Sequence, residues 1–114
     1  MSELVSVNRL DDRDAMVVAP RGDVDMACSP ELRVALRSAL DKPVPRVVVS
    51  FEDVTYMDSS GLATLVEAMR GAKSANKALV LYGLNDKVRA IFEIARLHQF
   101  FTIAGTLDEA VATA

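Results

Sequence analysis

The residues with chemistry to offer gather in one stretch, Glu52-Asp53-Val54-Thr55-Tyr56-Met57-Asp58-Ser59-Ser60-Gly61-Leu62. A carboxylate, two hydroxyls and a glycine in succession suit the start of a helix. Asp58 or Ser59 would cap free N–H groups, Ser60 would occupy the first turn, and Gly61 would let the helix pack closely on a sheet. Capping does not exclude a switch, because one residue can cap while its neighbour is modified. A second acidic segment, Gly22-Asp23-Val24-Asp25-Met26, reads either as an ordinary acidic turn or as the frame of a docking surface beside Ser60. In the second reading, Met26 adds an adaptable apolar contact.

Other reactive side chains do not assemble into a catalytic set. His98 is the single histidine and Cys28 the single cysteine. A hydrolase working through Ser60 would need His98 beside it and a carboxylate behind. The G-x-S-x-G elbow that would present such a nucleophile is missing. No His/Cys cluster has metal-ligand spacing, and no G-x-x-x-x-G-K-[ST] loop offers a phosphate cradle. The chain therefore reads as a non-enzyme without cofactor or metal. Cys28 reads as a half-exposed turn residue, although a thiol before a helix can have a lowered pKa. His98 reads as a surface residue or a partner of a helix C-terminus.

The elements that must position Ser60 follow from the pattern around it. Val5 and Val7 mark a first short strand and Ala15–Ala19 a second, joined by an Asp11-Asp12 turn as an antiparallel hairpin. Ser29-Pro30-Glu31 has the form of a helix start, with Ser29 as the cap. Leu32, Ala35, Leu36, Ala39 and Leu40 then form one buried stripe. The β-branched run Val47-Val48-Val49 predicts a central strand covered on both faces. A second helix starts near Ser60, burying Leu62, Leu65, Val66 and Met69. Ala78-Leu79-Val80-Leu81 is a further interior strand. A third helix after Asn85 buries Val88, Ile91, Phe92 and Ala95. Phe100–Ile103 forms an edge strand, and Thr106-Leu107-Asp108-Glu109 is a capping box opening a last helix. The fold class is thus α/β, with about four helices on a mixed sheet of four to five strands that begins with an N-terminal hairpin. Functional groups in such sheets collect where strand C-termini meet helix N-termini, which is where Ser60 falls.

The bulk numbers set the limits. A chain of 114 residues fits one domain, 1–114. With 51% hydrophobic and 25% charged residues, it has the balance of a globular protein able to fold without disulfide or metal. The net charge is −3, and Lys and Arg are scattered, so no basic stripe for direct nucleic-acid contact exists. The opening Met1-Ser2-Glu3 lacks the pattern of a signal peptide, and no apolar run reaches bilayer length. A single cysteine fits a reducing compartment. These features predict a cytoplasmic protein with no membrane insertion.

Met57-Asp58-Ser59-Ser60-Gly61-Leu62 resembles the signature of the STAS domain family, in particular its stand-alone bacterial anti-anti-sigma factors. Gly22-Asp23-Val24-Asp25 is similar to the turn before the family's first helix. Val88-Arg89-Ala90-Ile91-Phe92-Glu93-Ile94 with Leu97 resembles its third helix, so the similarity runs in register over nearly the whole chain. Ala63 stands where many relatives have a second glycine, and His98 stands near where a glycine often closes the third helix. The resemblance implies an anti-sigma factor antagonist whose unphosphorylated form binds an anti-sigma factor that is also a GHKL-type serine kinase, releasing the sigma factor. The implied acceptor is the second serine, Ser60, and a serine phosphatase restores the binding form. The partner surface would comprise Asp23, Asp25, Met26, Met57, Asp58, Ser59 and Gly61. A second implied role is that of a STAS adaptor subunit in a membrane transporter complex, with Ser60 unmodified.

Overall fold

A computed structural model describes residues 4–112, and the Met1-Ser2-Glu3 opening lies outside them. The chain starts with strand β1 (Val5–Leu10) and strand β2 (Ala15–Pro20), paired antiparallel from Val5↔Pro20 to Leu10↔Ala15. A 3-10 turn over Asp11–Arg13 joins them, closed by Asp14 in a left-handed conformation at φ 52°. The predicted hairpin is therefore present.

Strand β3 (Gly22–Val24) leads into helix α1 (Ser29–Leu40), followed by strand β4 (Arg46–Ser50) and strand β5 (Val54–Met57). Helix α2 (Ser59–Ser74), strand β6 (Ala78–Tyr82), helix α3 (Asp86–Ile94), strand β7 (Thr102–Ala104) and helix α4 (Leu107–Ala112) complete the order. Five strands form one mixed sheet in the order β1-β2-β4-β6-β7, with β4 at its centre as the valine run predicts. The alternation of that run decides the layering. Val47 and Val49 point into the larger core beneath α1, α2 and α3, whereas Val48 joins Val17, Val80 and Tyr82 beneath α4.

Several packing details depart from the sequence pattern. Helix α1 is not capped by Ser29: its N-cap position is Cys28, whose side chain makes no capping bond. Asp25 takes over that task, its Oδ1 accepting from the N–H groups of Ala27 and Cys28 and its carbonyl from Cys28 and Ser29. The tight turn draws Cys28 into the core, where it is 1% exposed rather than half-exposed. Burial raises its thiol pKa, and the nearby Glu31 and Asp25 charges raise it further, so it is not an activated thiol. Ala95 caps the end of α3 and is exposed, leaving Val88 and Phe92 as that helix's buried residues. The last helix has the predicted box: the Glu109 N–H donates to Thr106 Oγ1, and Glu109 Oε2 accepts from the Gly105 N–H.

Candidate functional site

A second, small sheet builds the site. Strands β3 and β5 run parallel, with Asp23 opposite Tyr56 and Val24 opposite Met57. Gly22, at φ +73°, donates its N–H to the Asp53 carbonyl at 2.8 Å, and the Asp58 N–H donates to the Val24 carbonyl at 3.1 Å. These bonds tie the end of β3, and hence the Asp25 turn, to the residue that caps α2. The pairing brings together the two acidic segments that the sequence separates by about thirty positions. Asn85 braces the outer edge of β5, donating from Nδ2 to the Val54 carbonyl while its Oδ1 caps α3 at the Val88 N–H.

Asp58 is the N-cap of α2, in extended conformation, accepting from the N–H groups of Ser60 and Gly61 at 2.9 and 3.3 Å. Its Oδ1 also accepts from the Ser60 hydroxyl at 2.6 Å, the length of a charge-assisted O–H···O bond. The Ser60 hydroxyl, together with the Gly61 and Ser60 N–H groups, holds the Asp58 carboxyl below the usual carboxylate range despite its partial desolvation. One carboxylate therefore both caps the helix and fixes the direction of the Ser60 oxygen. A step deeper, Thr64 Oγ1 donates to the Ser60 carbonyl at 2.9 Å, locking the first turn.

Gly61 supplies the close approach. A Cβ there would lie 2.6 Å from Met57 Cγ, 2.7 Å from Val24 Cγ1 and 2.9 Å from the Val24 carbonyl. The first turn of α2 thus rests directly on the β3–β5 sheet. Around it, Ser59 is exposed, Ser60 and Asp25 are half-buried, and Met26 is 77% exposed. Asp23 faces solvent and accepts from the Thr55 hydroxyl at 2.7 Å.

Two residues of the expected partner surface lie elsewhere. Met57 is fully buried, and Gly61 is buried beneath the helix start. Both shape the platform from below, Met57 from the core at the end of β5 and Gly61 where the helix start rests on it. His98 lies four residues past the end of α3 and is half-buried, with Nδ1 buried and without a hydrogen-bond partner. It is neither a freely exposed residue nor a last-turn partner of the helix end. Among the described residues, no group of three His, Cys, Asp or Glu side chains could hold a metal ion. Among the described residues, no helix is long and apolar enough to cross a membrane.

The family profile described as "Mlab, STAS domain" matches residues 8–109. The chain belongs to the STAS domain family. This STAS domain is 30% identical over 98 residues to the anti-sigma-B factor antagonist of Listeria monocytogenes, covering 86% of each chain. Its fold is that of an anti-sigma factor antagonist from Mycobacterium paratuberculosis, with a TM-score of 0.83 at 22% identity over 95% of this chain and 90% of that one. The Bacillus cell-fate determinant SpoIIAA, solved in its phosphorylated form, superposes with a TM-score of 0.72 at 22% identity, over 95% and 96% of the two chains. The named relatives are anti-sigma factor antagonists.

Proposed function

We propose that this STAS domain is an anti-sigma factor antagonist switched by phosphorylation of Ser60. The observation that carries the reading is the Ser60 hydroxyl, held at 2.6 Å by the cap carboxylate of a 16-residue helix. It is supported by the kinship with anti-sigma-B factor antagonists. Unphosphorylated, the domain binds an anti-sigma factor that is also a GHKL-type serine kinase, and the sigma factor is released. The surface it offers is acidic, with Asp23, Asp25 and Asp58 beside exposed Met26 and Ser59.

In the switching step, the kinase transfers the γ-phosphoryl group of ATP to Ser60 Oγ. The Oγ–P bond forms, the bond to ADP breaks, and the hydroxyl proton leaves. Asp58 orients that hydroxyl but is a weak base, since its hydrogen bonds hold its carboxyl below the usual carboxylate range. The proton therefore goes to a base of the kinase. Phosphate adds about −1.5 to −2 charge and removes the donor that Asp58 had bonded. Two unit charges about 5 Å apart at an effective dielectric of about 20 repel by about 3 kcal/mol. The helix N-terminus offsets part of that repulsion, so the domain stays folded. A partner covering the spot would have to bury the remainder, and every ~1.4 kcal/mol lowers affinity tenfold. A serine phosphatase reverses the step.

Titration of a GHKL-type anti-sigma kinase with wild-type, Ser60→Ala and Ser60→Asp proteins tests this reading. Tight binding by the first two and binding weakened about a hundredfold for the third is the expected result. Equal affinities would overturn it. Capture of a transporter ATPase subunit in place of the kinase would assign the domain to a transporter complex as an adaptor.

A further inference from the structure

Helix α2 leaves Leu62 and Val66 only partly covered at the margin of the core. Its buried line runs through Gly61, Thr64, Leu65, Ala68 and Ala72, so Leu62 and Val66 are only half-buried on its flank. Together with Ala63 and Leu97, they wall a groove of about 570 Å³ that begins at Ser59 and ends at Arg70. Those twelve residues of helix span about 16 Å, at a rise of about 1.5 Å per residue, or about three turns of a docked helix. An open trough of this length is suited to a helix laid along it.

Charge distinguishes the two ends. At the far end, Glu67 accepts from Arg33 at 2.8 Å and from Arg37 at 3.2 Å, so two guanidinium groups face one carboxylate. Arg70 lies one turn further and forms no ion pair among the described residues. Arg33 and Arg37, on the α1 side of the helix, thus neutralise Glu67, and Arg70 is left as the unpaired charge lining the groove, on a chain whose net charge is −3. At the near end, Ser59 adjoins Asp58 and the acidic surface around Ser60.

We infer that this groove seats an amphipathic helix of the same anti-sigma kinase, its apolar stripe on Leu62, Val66 and Leu97 and its carboxylates over Arg70. The inference rests on the proposed function and adds the shape and charge of the partner element. The opposite signs at the two ends set the direction of that helix: reversed, its carboxylates would lie against Asp58 and its neighbours. The seated helix would then end beside Ser60, which delivers the acceptor to the kinase in one orientation.

Two experiments on the full chain test it. A benzophenone amino acid at position 63, photolysed in the native host, should form an adduct with a helical kinase segment rich in Asp and Glu at one end. The same group at position 34, on the exposed face of α1, should not. With purified kinase, Arg70→Glu should raise the Kd at least about tenfold while Ser60 is still phosphorylated at saturating kinase, and Val34→Glu should leave the Kd unchanged. An adduct with a second copy of this chain, an adduct with a basic kinase segment, or an unchanged Kd for Arg70→Glu would each overturn the groove assignment while leaving Ser60 phosphorylation intact. A kinase that never modifies Ser60 would instead overturn the proposed function, and the groove assignment with it.

Discussion

Replacing Asp58 by asparagine and by alanine separates the two tasks of its carboxylate. Asparagine caps helices about as well as aspartate, whereas alanine at an N-cap costs about 1 kcal/mol, within a range of about 0.5 to 2. Asp58→Ala should therefore lower Tm by about 4 °C, the shift that about 1 kcal/mol produces in a domain near this size. Asp58→Asn keeps the bonds to the Ser60 and Gly61 N–H groups. It loses the charge-assisted part of the 2.6 Å bond from Ser60 and the attraction of the helix N-terminus, together about 0.5 kcal/mol at neutral pH. The folded-state pKa of Asp58 is depressed, chiefly by the Ser60 hydroxyl. A depressed carboxylate contributes its stability above the unfolded value of about 3.9 and loses it as pH falls through the lower folded value. The wild-type advantage over Asp58→Asn should then be complete at pH 7 and shrink on acidification below about pH 4. Urea denaturation of the three proteins at pH 7 and pH 3 measures this directly. Kinase assays add a second readout: weaker orientation of the hydroxyl should slow Ser60 phosphorylation of Asp58→Asn about twofold, the worth of about 0.5 kcal/mol. An asparagine variant as unstable as the alanine one, or a wild-type advantage that persists at pH 3, would refute the assignment of both tasks to one carboxylate.

Two further outcomes follow from the packing. Gly61→Ala gains about 1 kcal/mol of helix propensity but forces a Cβ to within 2.9 Å of the Val24 carbonyl, an overpacking cost of about 1 to 3 kcal/mol. It should destabilise by about 1 kcal/mol in urea melts, and a stabilised variant would contradict the close approach. Lys77 donates from Nζ to the Leu40 and Lys42 carbonyls at the end of α1, so Lys77→Met should cost about 1.5 kcal/mol at the same midpoint measurement.

Much of the scaffold was legible in the residue pattern because large apolar side chains report their own burial. The Val47–Val49 run marks a strand covered on both faces, and it lies at the centre of the sheet. Helix α2 shows the limit of that signal. Counting only Leu62, Leu65, Val66 and Met69 rotates its buried face, because the small residues Gly61, Ala68 and Ala72 permit the closest approach to the sheet and carry no hydrophobic weight. The same rotation conceals the groove.

The β3–β5 pair escaped notice for a different reason: strands of three and four residues are too short for an alternation to register, and their pairing is non-local. A cap at Asp58 or Ser59 was readable from the residue types, and the structure gives the task to Asp58. The role of Asp25 was not, since it depends on a turn that reaches forward to the Cys28 and Ser29 N–H groups. That turn also buries Cys28. Met57 looked like a surface residue because it adjoins the serines, yet the strand places its side chain inward.

The central claim is that Ser60 carries a regulatory phosphate, and intact-protein mass spectrometry with site mapping tests it most directly. Protein purified from its native host under several growth conditions should show a single added phosphate, located on Ser60, in a fraction that changes with condition. A chain that carries no phosphate under any condition, and that a GHKL-type anti-sigma kinase also fails to modify in vitro, would contradict the account.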